Sequence, residues 1–401
     1  MAQKVWAGVD AGKSAHHCVV IDASGKRLLS RRVKNVEQEL TTLIDDVLGL
    51  TESTVDWATD LNRGPVSLLL ALLYQRQQHV IYLPGRKFAH AAALYGGEAK
   101  SDAKDAAVLA DHARSRINPH YLQPATTAGR HLSLLTRRRI ALMHDRTRSV
   151  NRLRGILTES FPALDASFRF ATSTAALTLV TKYQTPIAIR KAGAVEIETW
   201  LRDKGCICVG KVAAAALEAA KKQSVAVPGE QLAGVIVGQI AEDILRIDAA
   251  IAQLRYSIEA VLRKHQYTPI ILSMPGFGTV LTAEFIALTG GTMQNFPSSD
   301  KLAAFSGVAP VSKDSGNTSG NNRLPQAYDR RLRRVWYLSS SIAANVDEPS
   351  RRYYDRKRSE GKKHPQAVLS LSRRRVNVLW AMLRDNKQYE PRPSPQAPEA
   401  E

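Results

Sequence analysis

Apolar residues gather in short runs at the start of the chain and recur at three- and four-residue spacing further on. Val5 to Val9 is a first apolar run, Cys18 to Ile21 a second and Arg27 to Val33 a third, and each predicts a strand. Ala23-Ser24-Gly25-Lys26 predicts a hairpin turn between the last two. From Gln38 to Leu50 the period lengthens, and Leu40, Leu43, Ile44, Val47 and Leu48 mark one helical face. Val55 to Asp60 reads as a strand ending in an acid, Pro65 to Gln75 as a leucine-rich helix, and His79 to Pro84 as a buried strand. Asp102 to Arg114 reads as a helix with Ser101 at its N-cap. The order β-β-β-α-β-α-β-α implies a mixed α/β sheet.

Helical spacing dominates after residue 129. Arg130 to Arg154 predicts a helix whose apolar stripe includes Leu132, Leu135, Leu142, Val150, Leu153 and Leu157. Residues 160–228 read as helical and irregular. In the stretch Gly229 to Gln266, the positions Ile236, Ile240, Ile244, Ile247, Ile251, Leu254, Ile258 and Val261 approximate a heptad seam. Such a seam packs inside one chain or joins the helices of two, and a dimer is the expectation. Met274-Pro275-Gly276-Phe277-Gly278-Thr279 reads as a tight turn ahead of another apolar helix. Its backbone N–H groups suit a phosphate, although short glycine turns are common. Pro391 to Glu401 is proline-rich and is expected to be disordered.

Charge changes the picture. The formal net charge is +19 and the pI is about 9.9, so a polyanion, nucleic acid first of all, is the expected partner. The 130–154 helix carries Arg137, Arg138, Arg139, Arg146 and Arg148 among eight arginines, against Asp145 alone. That density favours a phosphate-tracking face over a merely solvated one. Cys18, Cys206 and Cys208 are too few and too badly spaced for a zinc site or a disulfide framework, which suits a reducing cytoplasm. No run of 18 apolar residues occurs and the first residues have no apolar signal region, so neither export nor a membrane span is expected.

Two chemistries compete for the segment VWAGVDAGKSAHH. Gly12-Lys13-Ser14 resembles the end of a phosphate-binding loop. The glycine that such a loop needs falls at Ala7, however, and Gly8 is one residue too close. Asp10, at a strand end, is the better lead. Asp60 ends a strand that should neighbour it, and Asp102 and Asp105 share one helix face. Four converging carboxylates would bind hard cations, two Mg²⁺ being the expectation, of the kind that serve phosphodiester transfer. Spacing alone leaves solvated surface acids as the alternative, and Asp56 rivals Asp60.

Beyond spacing, GVDAGKSAHH, WATD and KSDAKDAAVLAD resemble the DEDD transposases of bacterial insertion sequences, relatives of the Piv invertase that include bridge-RNA-guided recombinases. The likeness continues through MPGFGTVLTAEFIALTG, LAAFSGVAPVSKDSGNTSGNNR, YDRRLRRVWY and YYDRKRSEGKKHPQAVLSLSRRRVNVLWAMLRD, so it spans most of residues 5–385. The resemblance implies an α/β plus all-α fold: a RuvC-like, ribonuclease-H-like mixed sheet domain over 1–160, and a helical linker over 161–266 with a coiled coil at about 229–266. A mainly helical C-terminal transposase domain over 267–388 and a tail over 389–401 complete it. The DEDD acids fall on Asp10, Asp60, Asp102 and Asp105, holding Mg²⁺ or Mn²⁺, although the family's second acid is usually Glu. The family's nucleophilic serine, in a matching Ser-Gly motif, falls on Ser315, which spacing alone reads as a polar loop residue.

The same likeness implies donor and target DNA, a structured noncoding guide RNA and a homo-oligomer, dimer or tetramer, acting in the cytoplasm at the nucleoid. Arg323, Arg330, Arg331, Arg333 and Arg334 follow Ser315 and suit a phosphodiester clamp. Alternatives are a RuvC-type nuclease with no covalent step, a non-catalytic nucleic-acid-binding protein, and an actin-like ATPase. The last needs a second glycine-rich phosphate turn, and none is found.

Overall fold

The computed structural model describes residues 4–95, 101–116, 121–312, 322–323, 325–326 and 328–391. Three antiparallel strands open the chain, β1 (Val5–Ala11), β2 (Ala15–Ile21) and β3 (Arg27–Lys34). β4 (Val55–Thr59) then pairs in parallel with β1, and β5 (His79–Tyr82) in parallel with β4. The mixed sheet has the order β3-β2-β1-β4-β5, consistent with a ribonuclease-H-like core.

Two-residue alternation sorts the side chains to the two faces. Val5, Ala7, Val9, Cys18 and Val20 bury against α1 (Glu37–Leu48) and α2 (Ser67–Gln75). On the other face, past α3 (Gly85–Ala92), α4 (Asp102–Arg114) packs over Val19, Ile21 and Ala58. Gly8 allows this approach, because an ideal Cβ there would sit 2.0 Å from the Ala106 carbonyl oxygen and 2.4 Å from the Ala110 nitrogen. Close packing at Gly8 holds the start of α4 over the C-terminal end of β1.

The remaining helices begin with α5 (Thr127–Ser160), α6 (Pro162–Ser167), α7 (Thr174–Lys182), α8 (Pro186–Asp203), α9 (Val209–Lys221) and α10 (Glu230–Leu262). α11 (Thr268–Ser273), α12 (Thr279–Leu288) and α13 (Ser299–Phe305) precede the short pair β6 (Val311–Ser312) and β7 (Asn322–Arg323). α14 (Arg330–Val346), α15 (Glu348–Ser359) and α16 (His364–Asp385) follow. The chain divides into two compact units, one of Met1–Gly129, Pro269–Phe277 and Leu288–Glu401, the other of Arg130–Thr268 and Gly278–Ala287.

Within the first unit the two ends of the sequence are joined. The Thr126 N–H donates to the Gly290 carbonyl at 2.9 Å, and the Gln123 N–H to Asn295 Oδ1 at 3.0 Å. In the C-terminal part, fully buried Trp336 meets Phe277 edge-on at 5.6 Å and donates to Ser306 Oγ at 3.1 Å. Buried Arg375 donates to the Pro275 carbonyl and, at 3.0 Å, to Ser339 Oγ.

The second unit has its own core, built from Leu153, Leu157, Phe161, Leu179, Val180, Ile197 and Leu201 with Val237 and Ile244. The expected heptad seam of α10 does not form one buried stripe. Ile244 and Ile258 are buried, but Ile236 is exposed and Ile240, Ile247, Ile251, Leu254 and Val261 are only half-buried. Gly234, Val237, Gly238 and Ala241 are buried instead, with Gly234 close to Gln184 and Gly238 close to the Thr181 carbonyl. Small residues let α7 approach nearer than a row of isoleucines would, and that approach sets which face turns inward.

Candidate active site

The strand register carries Asp10 and Asp60 to one end of the sheet. Val9 pairs with Thr59 in the parallel β1–β4 ladder, so the next residues, Asp10 and Asp60, stand side by side on chains about 4.8 Å apart. Asp10 shares the face of Gly8, beneath α4, and Asp60 shares that of Ala58. Both acids therefore point toward the first turn of α4, which carries Asp102 and Asp105. Ser101 caps that turn by accepting the Lys104 N–H at 3.2 Å, and the helix N-terminus favours the two negative charges.

Electrostatics link the acids. The Asp60 carboxyl is pushed above the usual carboxylate range, chiefly by burial, with the charge of Asp105 adding to the effect and its own backbone N–H opposing it. Asp60 Oδ1 is buried with no hydrogen-bond partner among the described residues. His17 lies opposite Asp10 in the β1–β2 ladder and shares a hydrogen bond with Ser30 Oγ at 3.0 Å. Burial lowers its pKa, and the charge of Asp102 pulls the other way.

An all-carboxylate oxygen set on one sheet end, with one oxygen buried and unspent, has the donor chemistry that hard divalent cations take. Among the described residues, however, no three Asp, Glu, His or Cys side chains converge on one point. The four acids of the expected tetrad thus share one end of the sheet without forming a metal-binding cluster among the described residues. Asp56, the rival for Asp60, sits at the other end of β4. It is buried and held by Lys4 Nζ at 2.8 Å. The Tyr121 hydroxyl is pushed up to about 12, first by burial and then by its hydrogen bond to Asp56.

One residue of the site carries no motif that singles it out. Arg63 lies in the loop that follows Asp60, and its Nη2 stands 3.9 Å from Asp329 Oδ2, at the N-cap of α14. Asp329 Oδ1 is already accepting the Arg331 and Leu332 N–H groups at 2.9 Å. Tyr82, paired with Thr59 at the sheet edge, has its pKa raised mainly by burial. The charges of Asp60 and Asp329 add to that rise and the charge of Arg63 opposes it. The only sequence signal for Arg63 is its place between WATD and Gly64-Pro65.

The basic residues divide into exposed and engaged. Arg137 and Arg138 on α5 are exposed and Arg139 is half-buried, with no ion pair to any of them among the described residues. Arg146 is otherwise employed. It grips Asp248 with two hydrogen bonds and donates to the Ala171 carbonyl at 2.9 Å, so the expected phosphate role gives way to a structural clamp. Arg148 pairs with Asp145 on the same helix and stays exposed. Gly276 serves packing, because an ideal Cβ there would sit 2.2 Å from the Ser339 carbonyl oxygen at φ +84. Gly278 has open space around it. Arg323, Arg330 and Arg334 are exposed, whereas Arg331 and Arg333 are half-buried. Arg333 donates to Tyr328 Oη at 2.9 Å and lies over its ring. Ser315 and the tail from residue 392 lie outside the described residues.

Comparison with known proteins adds an independent line. A family described as a transposase, of the IS110 DEDD type, matches residues 7–162, and one described as transposase, IS116/IS110/IS902 family, matches residues 268–355. The chain is similar to the 42 kDa protein of insertion element IS900 from Mycobacterium paratuberculosis, 49% identical over 98% of each chain. It is also similar to the 44.8 kDa protein of IS116 from Streptomyces clavuligerus, 43% identical over 97% of each. The 43.6 kDa protein of IS110 from Streptomyces coelicolor is 36% identical over 97% of this chain and 96% of its own.

Proposed function

The chain belongs to the IS116/IS110/IS902 family of transposases, and from that premise we propose that it cuts and rejoins DNA with Asp10, Asp60, Asp102, Asp105 and Ser315. The observation that supports this reading is the β1–β4 register, which sets Asp10 beside Asp60 under the first turn of α4. Asp10, Asp60, Asp102 and Asp105 would hold divalent metal, Mg²⁺ or Mn²⁺, which when bound supplies charge neutralisation at a phosphodiester. Asp60 replaces the family's usual Glu with an arm one methylene shorter.

In the proposed reaction the Ser315 Oγ forms a bond to phosphorus while the bond to a sugar oxygen breaks. The serine proton leaves to solvent and the departing sugar oxygen takes one up, so the exchange conserves the phosphodiester count. Attack by another DNA hydroxyl on the phosphoserine then restores Ser315 and joins the strands. Exposed Arg137 and Arg138, with Arg139, Arg148 and Gly278, are proposed to follow nucleic-acid phosphates, those of a structured noncoding guide RNA as well as of DNA. Arg323, Arg330, Arg331, Arg333 and Arg334 are proposed to face DNA. A homo-oligomer working in the cytoplasm, and the functional division at residues 160, 266 and 388, belong to the same reading.

Trapping under denaturing conditions tests it. Wild-type protein should yield a protein–DNA adduct mapping to Ser315, and Asp102→Ala or Asp105→Ala should lose cleavage while still binding DNA. Ser312→Ala and Ser319→Ala should keep the adduct. Cleavage without any adduct would establish a metal-dependent nuclease instead, and an adduct in Ser315→Ala would refute the serine assignment. Sequencing the RNA that co-purifies tests the guide.

A further inference from the structure

We propose that Arg63 is the cation that receives the DNA phosphodiester at the acid face, and that Asp329 holds its guanidinium until the phosphate arrives. The proposal rests on the recombinase reading of that face. It starts from an electrostatic need. Asp10, Asp60, Asp102 and Asp105 stand at one end of the sheet, and the metal they would hold offsets their own charge, so the charge of a phosphodiester brought there is left for a neighbouring cation. Arg63 is three residues from Asp60 on the same loop.

The loop is anchored two residues beyond Arg63, at Pro65, while the Arg63 head is largely in solvent. The Asn35 side-chain amide donates to the Pro65 carbonyl at 3.0 Å and to the Lys13 carbonyl at 3.3 Å, tying the loop to the β1–β2 turn. The Arg63 side chain is 54% exposed, while that of Asp329 is 14% exposed. Their single approach of 3.9 Å is at the edge of an ion pair and far from the bidentate fork that arginine makes with a committed carboxylate. Asp329 cannot supply that fork, since its Oδ1 caps α14. A phosphate offers two free oxygens in the geometry that the guanidinium prefers. The pair is thus weak by construction, and a phosphodiester is the better ligand.

An ordinary surface salt bridge is the alternative, and the experiment separates the two. Full-length protein is assayed on DNA carrying the ends of its own insertion element, with the co-purifying RNA present. Arg63→Ala should lower strand cleavage about 100-fold with DNA binding within about threefold of wild type. Arg63→Lys should recover about a tenth of wild-type cleavage, because it keeps the charge but loses the fork. Asp329→Asn retains the cap oxygen and should cleave at least as well as wild type. A neutral methylphosphonate at the mapped cleavage position should abolish the difference between wild type and Arg63→Ala, an effect that a merely structural arginine does not produce.

The inference is overturned if Arg63→Ala cleaves like wild type, or if Asp329→Asn loses as much as Arg63→Ala, which would make the pair a latch. Asp60→Asn serves as the control for the underlying reading. If it cleaves normally, the recombinase reading of the acid face fails. If it is dead while Arg63→Ala is normal, only the phosphate inference fails. Should Arg63→Ala not fold, Arg63→Lys and Asp329→Asn on the methylphosphonate substrate decide the same question.

Discussion

Arg63 and Asp329 come from opposite halves of the sequence, and their side chains meet at 3.9 Å beside the acid face. The α14 N-cap therefore borders the loop after β4 within one chain. This arrangement makes the acid face sensitive to changes in both halves, and several such changes have definite expected outcomes.

Gly8→Ala tests how α4 is held. The added methyl would press on the Ala106 carbonyl and the Ala110 nitrogen, both backbone atoms that cannot swing away. Overpacking should cost about 2 kcal/mol, seen as a lower denaturation midpoint. The start of α4 should shift, and cleavage should fall by about 100-fold although no acid has changed. Wild-type cleavage in Gly8→Ala would show that α4 is not placed by this contact.

The α5 arginines should separate by role in a salt titration. Replacing Arg137 or Arg138 with Ala should reduce the slope of log K against log salt by about 1 each, with stability unchanged. Arg146→Ala should do the reverse. It strips Asp248 and the Ala171 carbonyl of their donor, so the melting temperature falls while the salt slope holds.

Arg375→Ala should destabilise the first unit by about 3 kcal/mol, because it leaves the Pro275 carbonyl and Ser339 Oγ buried and unsatisfied. Burial holds the Arg375 guanidinium down to about 10, still charged at neutral pH. Arg374→Ala is the companion measurement. That exposed residue lies over the Tyr353 ring, and its loss should cost no more than about 0.5 kcal/mol.

Thiol labelling reads the sheet directly. Burial pushes the Cys18 thiol up to about 12, so at pH 8 about one molecule in ten thousand carries the reactive thiolate. Native protein should label at exposed Cys208 and more slowly at Cys206, and at Cys18 only after unfolding. Fast native labelling of Cys18 would mean that β2 is open to solvent.

Several parts of this architecture could be read from the residues alone. Alternation and apolar runs located all five strands of the mixed sheet, and WATD placed Asp60 at a strand end. β2 nevertheless begins at Ala15, three residues earlier than the apolar run, because His16 and His17 are polar residues inside a strand. The isoleucine spacing of α10 hid a stripe of small residues, Gly234, Gly238 and Ala241, that decides its buried face. Arg63 could not be ranked, since one arginine among 56 lysines and arginines has no local distinction. What distinguishes it is Asp329, and that proximity is created only by the tertiary fold.

The split of the first unit between the two ends of the sequence has a consequence for synthesis. A ribosome working at roughly 5–20 residues per second reaches Asp329 tens of seconds after it has made Arg63. During that interval the five-stranded sheet and its acids can form on the nascent chain, but the α14 N-cap does not yet exist. A chain terminated before Asp329 would carry the acids without the border that the second half supplies.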